Sequence, residues 1–258
     1  MTEKQQRGAH IVASGVTLKY STRSVLNGVD LTIAPGKLVA LLGPSGCGKS
    51  SLLRTIAGLA RTTAGHVEVD GEIVSGPRSD AAIAFQAPCL LPWLSVERNV
   101  ALGLAFVRQQ QLSREVRNER VSRALSAVGL EHVRHWKPSQ LSGGMAQRAA
   151  LARCLAREPR ALLLDEPFGA LDEVTRADMQ QLLVDSVHRT GASALLVTHD
   201  IDEALVVADQ IVLLGKHGTF VGRWSIDLPH PRKTQIRFLG ELRISILQAL
   251  QNSMAEPA

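Results

Sequence analysis

Eight residues constrain this chain more than any others: Gly43-Pro44-Ser45-Gly46-Cys47-Gly48-Lys49-Ser50. They follow a continuous apolar run of strand length, Leu38 to Leu42, and precede a helical run, Ser51 to Ala57. Strand, glycine-rich loop and helix in that order form the context of a phosphate-binding loop. The glycines let successive backbone N–H groups curl around phosphate oxygens, and the helix N-terminus adds partial positive charge. Within the loop Cys47 matters for its backbone more than for its thiol. Lys49 would reach the β- and γ-phosphates of a nucleotide, and the Ser50 hydroxyl would ligate Mg²⁺. A merely flexible glycine turn would require neither the Lys-Ser ending nor these flanks.

The apolar run before the loop has the character of a buried strand in a parallel sheet. Similar runs recur at Ala161 to Leu164, Ala194 to Val197 and Ile211 to Leu214, with helical stretches between them, so an α/β core is expected. Ahead of it, Val16 to Tyr20 and Val29 to Ile33 alternate in the manner of antiparallel strands. Between Pro88 and Pro138 the pattern turns helical, clearest over Leu102 to Gln111 and Arg120 to Val128, which reads as an inserted helical subdomain. After Pro229 an amphipathic stretch, Ile236 to Leu250, predicts a terminal helix. The expected division is a core of residues 11–87 and 158–222, a helical subdomain of 88–157, and a tail of 223–258.

Composition narrows the class. With 258 residues, 45% hydrophobic and 21% charged, the chain suits one large domain or a core with an insertion, not disorder or a fibrous repeat. Aromatics are only 3%, so aliphatic side chains must fill the core. A net charge of +5 would suit an anionic surface but is common among soluble proteins. Met1 to His10 lack the apolar stretch of a secretory signal, and no apolar run is long enough to span a bilayer. The expectation is a soluble protein whose membrane role, if it has one, comes through a partner. Cys47, Cys89 and Cys154, an odd set without CxxC spacing, read as reduced thiols.

A second strand ends in Leu162-Leu163-Leu164-Asp165-Glu166-Pro167, which places two carboxylates at the end of a buried run. Asp165 can hold Mg²⁺ directly or through its water shell, and Glu166 can polarise the water that attacks a γ-phosphate. A surface turn beginning Asp-Glu-Pro is the plainer alternative, improbable downstream of a phosphate loop. A third motif, Leu141-Ser142-Gly143-Gly144-Met145, leads into a helical run from Ala146 to Arg157, so Ser142 and the glycines lie at a helix start and form a second anion site. Ser142 can equally be a plain N-cap before a tight glycine turn. Nothing in the sequence alone says whether both helix starts serve one nucleotide.

The phosphate loop, Gln86, Leu-Ser-Gly-Gly, Leu-Leu-Leu-Asp-Glu and His199, in this order, resemble the ATP-binding cassette (ABC) ATPases, and the resemblance covers nearly the whole chain. It implies a P-loop NTPase core with an N-terminal antiparallel β-subdomain and an inserted helical subdomain. It also implies ATP and Mg²⁺ as ligands, and a head-to-tail homodimer in which Ser142, Gly143 and Gly144 of one subunit close over the ATP of the other. By the same resemblance Gly43 to Ser51 hold the phosphates, and Ser50, Gln86 and Asp165 serve the metal. Glu166, His199 and Gln86 form the catalytic set, Tyr20 stacks on adenine, and Asp172 belongs to a loop that communicates between the two sites. The family's glutamine after the signature glycines is Met145 here, which touches only contacts of that side chain.

A single compact cassette fits a transporter subunit better than the soluble ABC proteins of DNA repair or translation, so no nucleic-acid partner is expected. A P-loop kinase would explain Lys49 and Asp165 but not Leu141 to Gly144. Leu90 to Val100 and the tail Asp227 to Arg232 resemble ATPases of nitrate, sulfonate and taurine importers. That branch implies a transmembrane permease, a solute-binding protein engaged through it, and a place on the cytoplasmic face of the inner membrane. Leu91, Pro92 and Trp93 fall where the family receives a cytoplasmic helix of the permease.

Overall fold

A computed structural model describes residues 8–21, 23–104, 112–232 and 235–255. Two sheets organise it. The first is antiparallel, built from β1 (Ile11–Tyr20), β2 (Arg23–Ile33), β4 (Ala64–Val69) and β5 (Glu72–Ile73) in the order β2-β1-β4-β5. The second runs β10-β9-β3-β8-β7-β6, from β3 (Leu38–Leu42), β6 (Ala81–Ala84), β7 (Ala161–Asp165), β8 (Ser193–Val197), β9 (Gln210–Leu214) and β10 (Phe220–Ser225). Strands β6, β7, β8, β3 and β9 pair in parallel, and β10 closes the edge antiparallel to β9.

Every residue of β3, β7 and β8 is buried, which is why these strands appear as unbroken apolar runs. Their alternate residues serve two cores. Val39, Leu41, Leu163, Leu195 and Val197 face the antiparallel sheet and helix α1 (Lys49–Ile56), whereas Leu38, Ala40, Leu42, Leu162, Leu164 and Leu196 face the remaining helices.

Between β6 and β7 come α2 (Val96–Leu102), α3 (Arg114–Ala127), two short 3₁₀ turns and α4 (Gly143–Leu155). Ser95, Ser113 and Ser142 each cap the following helix by accepting a backbone N–H. Of the helix expected over Leu102 to Gln111, Leu102 closes α2 and Gly103 caps it, and residues 105–111 lie outside the described residues. Among the described residues three more helices follow: α5 (Glu173–Thr190), α6 (Ile201–Val207) and α7 (Ile236–Ala255).

The tail is bound to the core by one residue above all. Arg232 is fully buried and donates to the carbonyls of Ile226, Leu228, Leu205 and Ala208. Two of these belong to the end of α6, where carbonyls lack helical partners and a cation is favoured. α7 packs on α6 and β10, with Arg243 Nε 2.8 Å from Asp202 Oδ1.

Sheet order decides where the chemistry lies. β3, β8, β7 and β6 are consecutive neighbours, so the segments after their carboxyl ends lie side by side. At or just beyond those ends stand, in turn, the glycine loop, His199, the pair Asp165 and Glu166, and Gln86. Crevices at this edge of a parallel sheet are where ligands bind in open α/β folds.

Candidate nucleotide site

The loop from Gly43 to Gly48 is shaped by its glycines, two of which, Gly43 and Gly48, leave no room for a side chain. A Cβ on Gly43 would stand 2.4 Å from the Leu214 carbonyl oxygen, and one on Gly48 2.9 Å from that of Val25. Gly48 also has a φ of 110° and caps α1 without a side-chain hydrogen bond, so the helix start is open to an anion. Cys47 is buried, and burial pushes its thiol up. Lys49 opens α1 and is itself buried, with Nζ donating to Gly43 O at 2.8 Å and Pro44 O at 3.0 Å. The ammonium is thereby fixed against the loop it serves.

From the neighbouring residue the Ser50 hydroxyl donates to Asp165 Oδ1 at 2.9 Å. Asp165 is buried at the end of β7, and that burial raises its affinity for a proton, opposed by the Ser50 hydrogen bond and by the positive charge of Arg54. Glu166 follows in a left-handed conformation, φ 47°, with its N–H donating to Val197 O at 2.9 Å. Its carboxylate is shared: Gln86 Nε2 donates to Oε2 at 3.1 Å, and His199 Nδ1 lies 3.1 Å from Oε1. Three adjacent strands therefore converge on one carboxylate.

Together these groups line a cleft of about 600 Å³ with Tyr20, Arg23, Val25, Ser45, Gly46, Gly48, Lys49, Ser50, Ser51, Gln86, Glu166 and His199 on its walls. Tyr20 stands half-exposed at the rim, 52% accessible, paired across the β1–β2 turn with Arg23. Arg23 and Val25 were not anticipated. Their place comes from the hairpin register, which sets Arg23 opposite Tyr20 and brings Val25 up to Gly48.

The second helix start lies elsewhere. Ser142 caps α4 and accepts from Met145 N at 3.2 Å, and Asp172 caps α5 and accepts from Thr175 N at 3.0 Å. Neither residue, nor Gly143 or Gly144, is among those lining the cleft of its own chain. They adjoin one another instead: a Cβ on Gly144 would lie 3.2 Å from Ala170 O. Met145 packs its side chain against the core and offers its backbone to the cap, so the departure from glutamine leaves the helix start intact.

The sequence matches the ABC transporter family over residues 26–169. It is 46% identical over 239 residues to the aliphatic sulfonates import ATP-binding protein SsuB 1 of Xanthomonas axonopodis pv. citri, covering 91% of this chain and 93% of that one. This chain belongs to the ABC transporter family. The bicarbonate transport ATP-binding protein CmpC of Synechococcus elongatus is 45% identical over 210 residues, 81% of this chain and 32% of that protein. Among solved structures, the dimeric post-hydrolysis state of the ATP-binding cassette MJ0796 bound to ADP and Pi superposes with a TM-score of 0.77 at 33% identity, over 85% of this chain and all of that one. The fold is accordingly that of the ABC ATPase cassettes, the family's function is hydrolysis of ATP, and the nucleotide is its ligand.

The donor set of this cassette suits a hard cation. Among the described residues no cluster of three or more His, Cys, Asp or Glu side chains is poised to hold a metal. The Ser50 hydroxyl, one Asp165 carboxylate and the Gln86 carboxamide oxygen would make the small oxygen contribution that Mg²⁺ accepts when waters and phosphates supply the rest. Among the described residues no helix is long and apolar enough to cross a membrane.

Proposed function

We propose that this chain is the ATP-hydrolysing subunit of an importer for a small anionic solute of the aliphatic sulfonate, taurine or nitrate kind. It works as a homodimer on the cytoplasmic face of the inner membrane, against a separate permease that in turn engages a solute-binding protein. The chain is read as a single cassette of residues 1–258, with a core of 11–87 and 158–222, a helical subdomain of 88–157 and a tail of 223–258. The observation that carries this reading is the Glu166 carboxylate, held between Gln86 and His199 beside the phosphate loop.

Gly43 to Ser51 cradle the phosphates, and Tyr20 stacks on the adenine. Ser50, Asp165 and Gln86 would hold Mg²⁺, which when bound would supply positive charge to the phosphates. Glu166 accepts a proton from the attacking water, His199 holds the carboxylate and the γ-phosphate in register, and Gln86 links them to the insertion that faces the permease. Ser142, Gly143, Gly144 and Asp172 act across the dimer. The sulfonate class is favoured by the names of relatives such as that of Xanthomonas.

Hydrolysis by the purified chain should require Mg²⁺ and vanish in Lys49→Ala. Phosphate transfer to a metabolite without release of free phosphate would overturn it. For the cargo, cells lacking this chain should lose uptake of labelled alkanesulfonate, taurine or nitrate; undiminished uptake of all three would refute that class.

A further inference from the structure

Helix α6 carries a charged residue that none of the roles above uses. Glu203 is the third residue of α6 and only 7% exposed, in the helix that packs against α5. A carboxylate so placed needs partners, because burial disfavours its charge and raises its proton affinity. It has two. The Thr198 hydroxyl donates to Oε2 at 2.8 Å, and Arg176 Nε lies 3.7 Å from Oε1.

Both partners belong to segments of the nucleotide site. Thr198 immediately precedes His199, and its hydroxyl also accepts from the Asp200 N–H at 3.0 Å, so one side chain ties the residues on either side of His199. The His199 side chain is 63% exposed, so beyond its 3.1 Å contact with Glu166 Oε1 the ring is placed by the turn beneath it. Arg176 is the fourth residue of α5, the helix that Asp172 caps. Its N–H donates to Asp172 O at 2.8 Å, and its Nη2 donates to Leu171 O at 3.0 Å, so the guanidinium braces the loop leading into Asp172.

We propose that Glu203 is a positioning residue for hydrolysis, joining the Asp172 loop to the turn that carries His199 through a single buried carboxylate. The proposal rests on the role given to His199 above. Glu203 does not line the cleft and acts through the backbone on both sides of His199. Because Arg176 draws on the same carboxylate, a displaced Asp172 loop alters the support of that turn.

Glu203→Gln retains the size of the side chain and an oxygen for Thr198 but removes the charge opposite Arg176. In the full-length dimer it should lower kcat about tenfold while nucleotide affinity stays within about twofold, and it should add nothing to the loss caused by His199→Ala. Arg176→Met should reproduce this pattern, which keeps the test decisive if Glu203→Gln fails to fold. A purely structural role would lower the melting temperature and the active fraction but leave turnover per bound nucleotide unchanged. Wild-type kcat in both variants, or a loss that multiplies that of His199→Ala, would overturn the proposal. Wild-type kcat in His199→Ala itself would overturn the role of His199, and the two failures are thereby told apart.

Discussion

Glu166 shows how a single position can be over-determined by its surroundings. A left-handed conformation costs a side-chain-bearing residue about 1–3 kcal/mol, and the N–H bond to Val197 together with the contacts to Gln86 and His199 maintains it. Glu166→Gln preserves shape and the acceptor for Gln86, but an amide cannot take a proton. ATP affinity should therefore persist while kcat falls by about 10²–10⁴-fold, and the ATP-bound dimer should accumulate on size exclusion. Near-normal hydrolysis would remove Glu166 from the role of base. Lys49→Ala should do the opposite and weaken ATP binding itself, since it deletes a charge anchored at the phosphate loop. The placement of Lys49, Ser50, Asp165 and Glu166 beside one another was legible because each stands at a fixed distance from a strand. Arg23 and Val25 were not, because hairpin register brings them to the cleft, and Glu203 was not, because packing alone sets it against Thr198, and no local pattern announces either.

At the scale of elements, the strands buried on both faces were evident as apolar runs, whereas β6, four residues that include three alanines, and β10, an edge strand with alternating exposure, carry too little signal to stand out. The helices between β6 and β7 were recognisable from a change of period, whereas the loop before α2 is shaped by a buried asparagine. Asn99 accepts from Leu91 N at 2.8 Å and donates to the carbonyls of Leu91, Leu94 and Ser95, which sets the shape of the loop before α2. That loop presents Trp93, 67% exposed, on its outside. An indole displayed on a braced loop suits an interface with the permease, where such an anchor is worth about 2 kcal/mol or more. Trp93→Ala should leave the melting temperature and ATP affinity unchanged and weaken co-purification with the permease. A melting temperature several degrees lower, with permease affinity intact, would place the indole in the subunit's own packing and move the coupling surface elsewhere.

For the whole molecule, the helices α1 and α4 both open on glycines, and only the start of α1 lines the cleft of its own chain. α1 opens beneath the phosphate loop, and α4 opens at Ser142 beside the Asp172 loop, away from that cleft. A second copy arranged head to tail would bring its Ser142, Gly143 and Gly144 over the first copy's nucleotide, and the superposable MJ0796 cassette was solved as a dimer with ADP and Pi. A Lys49→Ala subunit linked covalently to a Ser142→Arg subunit then contains one composite site made wholly of undamaged halves, while each mutant homodimer contains none. The mixed dimer should trap nucleotide at that one site and hydrolyse faster than either parent. Strict coupling between the two sites would suppress turnover without preventing trapping, so trapping is the measurement that decides. A mixed dimer that traps no more nucleotide than its parents would mean that each cleft is completed by its own chain, and the helix start at Ser142 would then be an ordinary capped helix.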